Sequence, residues 1–96
     1  MTKRVQISDE TISAFTSAHA GWGRQGDSLS KTFTFDSYAA GIAFVVQIGF
    51  AAEARDHHPE LVVGYRRVKV AWSTHDAGGI SALDTEMAER TDALAR

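Results

Sequence analysis

Glu53-Ala54-Arg55-Asp56-His57-His58-Pro59 is the stretch on which the reading of this chain turns. Upstream of it, Tyr38 to Arg55 is apolar on nearly every face of a helical wheel, with Ile42, Phe44, Val45, Val46, Ile48 and Phe50 spread around it. Downstream, Leu61, Val62 and Val63 begin a strand-like run. The heptapeptide is therefore the exit of a core helix. Pro59 forbids another turn and biases His58 toward extended backbone, which aims the histidine pair outward at a fixed place. The partial negative charge at a helix C-terminus suits a protonated imidazole, so at least one ring is a candidate proton donor. Glu53 lies four residues before His57, on the same helical face, and is the expected carboxylate to orient that ring. A polar C-cap without chemistry is the competing reading of the same residues.

Working outward, Ser8-Asp9-Glu10 opens a first helix with Ser8 as N-cap, Ile12 and Phe15 as its apolar stripe and Gly21 as its stop. His19, at its end, reads as a surface C-cap. Trp22 reads as an anchor for the Gly-rich segment around it, with stacking on a planar ligand as the alternative. From Leu29 to Phe35 the pattern alternates, Leu29, Phe33 and Phe35 facing one way with Lys31 as the exception. Asp36 or Ser37 caps the central helix, in which Gly41 and Gly49 would admit another backbone. Beyond Gly64, a bend, the run from Tyr65 to Ser73 puts Val68, Val70 and Trp72 on one face and Arg67 and Lys69 on the other. A tight Thr74–Gly79 loop leads to a last helix capped by Ser81, with Asp84 at its third position as a capping-box acid. The expected fold class is α+β: a four-stranded antiparallel sheet with three helices packed on one face, in the order α-β-β-α-β-β-α, as one domain over residues 1–96.

Composition narrows the function. The net charge is −2 with scattered Lys and Arg, which argues against nucleic acid or an anionic membrane as the main partner. There is no Cys, which excludes disulfides, thiolate nucleophiles and Cys-ligated zinc. No apolar signal core follows the basic pair Lys3-Arg4, and the longest apolar run is too short for a membrane span, so a cytoplasmic location is expected. His57, His58 and His75 are the chemical cluster. Adjacent His57 and His58 cannot easily converge on one ion, and no zinc spacing is present, so no metal is expected. Ser73 and Thr74 stand near His75 without a nucleophile elbow. Metal-free general acid and base work is what remains. In it Asp84 either accepts from His75 or serves only as the cap of Ser81, and spacing favours the cap.

At these residues the chain resembles the pterin-4a-carbinolamine dehydratases, whose members include dimerization cofactors of a hepatocyte homeodomain factor. The matching positions are Ala52-Glu53, His57-His58-Pro59, Tyr65, Val68, Val70, Thr74-His75-Asp76-Ala77-Gly78-Gly79-Ile80-Ser81, Asp84 and Ala88. Upstream, Gly21-Trp22 and Phe33-Thr34-Phe35 also fall into place. The resemblance implies dehydration of 4a-hydroxytetrahydropterin to quinonoid dihydropterin, with no cofactor, in recycling for an aromatic amino acid hydroxylase as partner. It implies catalytic roles for His57, His58 and His75, support of His57 by Glu53, and an orienting role for Asp84. Substrate binding would fall to Glu53, Asp56, Pro59, Ser73, Thr74 and Asp76. It also implies a homodimer or homotetramer built through the sheet and helices. The family usually has an aromatic where Leu61 stands and an Asn where Val63 stands. Those two departures sustain an alternative, a family member reused as a protein-binding or assembly module.

Overall fold

The computed structural model describes residues 4–96, so Lys3 of the N-terminal basic pair lies outside it. Three helices, α1 (Asp9–Ala18), α2 (Tyr38–Arg55) and α3 (Ala82–Leu94), alternate with four strands, β1 (Gly23–Gln25), β2 (Ser28–Thr34), β3 (Glu60–Gly64) and β4 (Arg67–Trp72). The order is the expected one, and the sheet is antiparallel throughout with strand order β1-β2-β4-β3. Ser8, Ser37 and Ser81 each accept a backbone N–H at a helix start, as N-caps do.

Alternation along β2 and β4 puts Leu29 opposite Trp72 and Phe33 opposite Val68 in the row under the helices. Those residues form one core with Ile12 of α1, Phe44, Ile48 and Ala52 of α2, and Leu83, Met87 and Ala88 of α3. Lys31 breaks the apolar row because its Nζ reaches Asp92 Oδ1 at 2.8 Å. Asp92 Oδ2 also accepts from Trp22 Nε1 at 3.0 Å, so the buried Trp22 is an anchor that ties the chain between α1 and β1 to α3. Phe35, at the end of the row, is only half-buried.

The fourth strand starts at Arg67 rather than Tyr65, because Tyr65 and Arg66 form the two-residue hairpin turn. Arg66 sits there at φ +60°, held by its Nε donating to Phe35 O and its own carbonyl accepting Phe35 N. Within this chain the central helix, apolar on nearly every face, is covered on one side only. Phe44, Ile48 and Ala52 are buried, while Tyr38, Ile42, Val46 and Phe50 form an exposed stripe at four-residue spacing.

Within this chain no backbone comes close to either glycine of α2. A Cβ at Gly41 would meet Phe35 at an ordinary 3.5 Å, and one at Gly49 would meet nothing within 4 Å. Gly49→Ala should therefore raise stability by about 0.5 to 1 kcal/mol through the helix propensity of alanine, read as a higher urea midpoint at unchanged slope.

Candidate functional site

Helix α2 does not run on into the histidines. Asp56 adopts a left-handed conformation (φ 54°, ψ 45°), its N–H bonds Glu53 O at 3.2 Å, and the N–H of His57 bonds Ala52 O at 3.1 Å. This paired closure satisfies the last carbonyls of the helix and reverses the chain one residue before the imidazoles. It sends the two rings to opposite environments. His57 is buried at 6% exposure, whereas His58 is exposed.

The reversal also corrects the expected partner of Glu53. The spacing argument assumed that the helix continues through residue 57, and it stops at Arg55. Glu53 Oε1 instead meets His58 Nε2 at 2.7 Å, both groups lying open to water.

His57 pairs with Asp84. Its Nε2–H donates to Asp84 Oδ1 at 2.6 Å. The other carboxylate oxygen accepts from Thr74 Oγ1 at 2.7 Å and from the Ser81 backbone N–H at 2.9 Å. With its proton so committed, Thr74 Oγ1 accepts in turn from Ser81 Oγ at 2.6 Å. Asp84 is fully buried and is both the capping-box acid and the partner of a histidine, but that histidine is His57 and not His75. Two alternatives weighed from spacing are thus met by one side chain. The Thr74 hydroxyl is consumed inside this network.

The tautomer follows from the acceptors. A carboxylate offers no proton, so Nε2 of His57 carries one and Nδ1 of the neutral ring has a free lone pair. Nδ1 has no protein partner among the described residues, and no buried side-chain nitrogen or oxygen among them lacks one. Nδ1 is therefore not sealed from solvent.

Because Asp84 grips His57 with one oxygen and Thr74 with the other, it holds the 57–58 segment against the 74–75 segment. His75 stands exposed at the start of a 3-10 turn, His75–Ala77. The base of that loop is closed by Thr74 N to Gly79 O at 2.9 Å and Gly79 N to Thr74 O at 3.3 Å. Gly78, at φ +73°, makes the turn, and Gln6 Nε2 donates to Ala77 O at 2.9 Å. Gln6 gave no sign of this in the sequence, lying some seventy residues away. Ser73 and Asp76 are exposed beside His75, Asp76 lying 3.8 Å from Arg4, and Pro59 is half-buried behind His58. No group of three or more His, Cys, Asp or Glu among the described residues is placed to hold a metal ion.

Arg55 ties the exit of α2 to α3. Its Nε and Nη2 meet Glu86 Oε2 and Oε1 at 2.7 and 3.2 Å. The hydrogen bond from Arg55 holds the Glu86 carboxyl below its ordinary range, against the opposing effect of desolvation and with the charge of Arg55 adding to it. A depressed carboxyl adds stability above its unfolded pKa and loses it as pH falls through the lower folded value. Glu86→Gln should therefore cost little at neutral pH, since the pair is exposed, and the difference from the parent should shrink in urea titrations as the pH falls below the ordinary carboxyl range.

Hollows open on the surface among the described residues. One of about 600 Å³ lies between α2 and α3 beside Ala54, Arg55, Glu86 and Met87, and one of about 560 Å³ lies beside Arg24, Ser30, Lys31 and Lys69. None of His57, His58 and His75 lines either. The candidate site is therefore located by the chemistry of its residues rather than by cavity size.

A four-stranded antiparallel sheet under three helices, with a buried imidazole–carboxylate pair where the central helix exits, defines an α+β domain built around an ordered His–Asp pair. The chain belongs to the family described as pterin 4 alpha carbinolamine dehydratase, whose sequence model matches residues 5–94. A relative from Natronomonas pharaonis, provisionally named a pterin-4-alpha-carbinolamine dehydratase, is 44% identical over 90 residues, covering 94% of this chain and 96% of its own. One of the same provisional name from Roseiflexus castenholzii is 45% identical over 74 residues, covering 77% and 80%. Among solved structures, a transcriptional coactivator/pterin dehydratase from Brucella melitensis matches with a TM-score of 0.89 at 29% identity, over 95% of this chain and 99% of that one. A pterin dehydratase-like protein identified as a RuBisCO assembly factor in the alpha-carboxysome matches at 0.69 and 32%, over 80% and 92%.

Proposed function

We propose that the protein dehydrates 4a-hydroxytetrahydropterin to quinonoid dihydropterin by general acid and base catalysis. The observation that carries this reading is the His57–Asp84 pair: one ring nitrogen is committed to a buried carboxylate, while the other has no protein partner among the described residues. The reaction moves one proton onto the departing 4a-hydroxyl and removes one from N5, so water leaves and nothing else is consumed. His57, with Nδ1 unprotonated, suits the proton from N5. An exposed imidazole, His58 steadied by Glu53 or His75 on its clamped loop, suits the hydroxyl. The backbone around Asp56, Ser73 and Asp76 and the ring of Pro59 would meet the polar edge and flank of the pterin.

The same reading places the protein in pterin recycling beside an aromatic amino acid hydroxylase, in the cytoplasm. It also takes the exposed Ile42, Val46 and Phe50 stripe of α2 as a contact between copies in a homodimer or homotetramer.

Loss of 4a-hydroxytetrahydropterin in a coupled phenylalanine hydroxylase assay tests the reaction. The parent should accelerate it, and His58→Ala with His75→Ala should lower the rate by about 10²-fold or more while leaving the unfolding midpoint nearly unchanged, since both side chains are exposed. A folded parent that gives no acceleration would sink the reading.

In that event an assembly or binding role takes its place. Leu61 and Val63 favour that role, lying opposite Val70 and Val68 on the helix side of the edge strand β3. The likeness to a RuBisCO assembly factor also favours it.

A further inference from the structure

His57 is held on two sides. Its edge meets Asp84 through Nε2, and its face lies over the indole of Trp72, with ring centroids 5.6 Å apart and planes 15° from parallel. That is the offset arrangement in which aromatic rings attract beyond simple burial. Trp72 is fully buried and is itself pinned. Its Nε1–H donates to Thr91 Oγ1 at 3.0 Å, and that hydroxyl donates to Met87 O at 2.6 Å. The wall behind the imidazole is thus fixed to α3, the helix that also supplies Asp84.

The two restraints are not redundant. One hydrogen bond to Nε2 fixes a direction but lets the ring roll about that axis, carrying Nδ1 out of line. A flat wall removes the roll. A proton acceptor works only when its lone pair points at the proton to be taken, so the wall bears on rate rather than on affinity.

We propose that Trp72 is a positioning residue whose indole face sets the plane of His57 and so aims Nδ1 at the substrate. The inference rests on the dehydratase reading for its kinetic readout alone. Trp72→Phe keeps a flat face and loses the N–H, whereas Trp72→Leu keeps apolar burial and loses the face. Both open a cavity, so both lose stability. Trp72→Phe should hold kcat within about threefold, while Trp72→Leu should lower it about 10- to 100-fold with KM unchanged.

The second readout needs no turnover. The Nε2 proton of His57, held against Asp84, should give a downfield imidazole resonance in proton NMR, assigned by its loss in His57→Gln. It should persist in Trp72→Phe and disappear in Trp72→Leu. Thr91→Val, which frees the indole without deleting it, should broaden the same resonance and covers the case in which Trp72→Leu does not fold. Resonances that follow this pattern in a protein without dehydratase activity would uphold the positioning role and overturn the proposed reaction. A resonance unaltered in folded Trp72→Leu or Thr91→Val, or equal kcat losses in the Phe and Leu variants, would overturn the positioning role itself.

Discussion

Asp84→Ala is expected to lower folding stability by about 3 to 5 kcal/mol, the usual cost of stripping one partner from a buried charged pair. The side chain is fully buried and answers three donors at once: His57 Nε2–H, Thr74 Oγ1–H and the Ser81 N–H. Each buried donor left without an acceptor costs about 1 to 3 kcal/mol, and water entering the vacated space offsets part of the sum. A domain of this size holds roughly 5 to 15 kcal/mol in all, so the loss is a large share of it. Urea denaturation of the parent and the variant measures it directly.

Asp84→Asn separates the two duties of the residue. Its amide oxygen can still take the Ser81 and Thr74 hydrogens, so most of the stability should return. Its NH2 would then face Nε2 of His57 and drive the imidazole proton to Nδ1, the wrong nitrogen for a base that must accept there. The coupled assay should show a folded protein slower by about 10²-fold or more. A variant as stable and as fast as the parent would remove Asp84 from the mechanism.

Phe44→Ala should cost about 3 to 5 kcal/mol, as truncation of a buried Phe does. Phe44 is 3% exposed, with ring centroids 4.9 Å from Phe33 and 5.1 Å from Phe35, so one deletion opens a gap beneath the whole aromatic cluster. Phe50, six residues along the same helix, is 74% exposed, and Phe50→Ala should change the stability of a single chain by less than about 0.5 kcal/mol. The pair makes a sharp contrast within one helix. If copies associate through the outer stripe of α2, Phe50→Ser should lower the mass seen in light scattering while leaving Phe44 and its cluster intact.

Local patterns carried most of the fold. Alternation from Leu29 to Phe35, the row Val68, Val70 and Trp72, and the serines at 8, 37 and 81 each depend on neighbours within a few residues. Such periodicities survive whatever the chain packs against. Lys31 looked like an error in its strand because its partner, Asp92, stands 61 residues away. The apolar wheel of α2 implied cover on several sides, but hydropathy does not say whether cover comes from the same chain.

At the candidate site the division runs between residue types and their pairing. The three histidines, Glu53 and Asp84 were legible as types able to move or orient protons, and the family resemblance gathered them into one place. Which carboxylate serves which imidazole was not legible. Glu53 and His57 share a helical face only while the helix lasts, and the left-handed turn at Asp56 ends it two residues too soon. Asp84 reaches His57 across 27 residues of chain because α3 packs beside the exit of α2, and Trp72 lies beneath the same ring because β4 runs under both. The sequence by itself determined the helices, the strands and the chemical vocabulary of the site, since those depend on local spacing. Only the tertiary structure decided that His57 is the ordered imidazole and that His58 and His75 stand open to solvent, because burial and hydrogen-bond partners are set by contacts between elements distant in the chain.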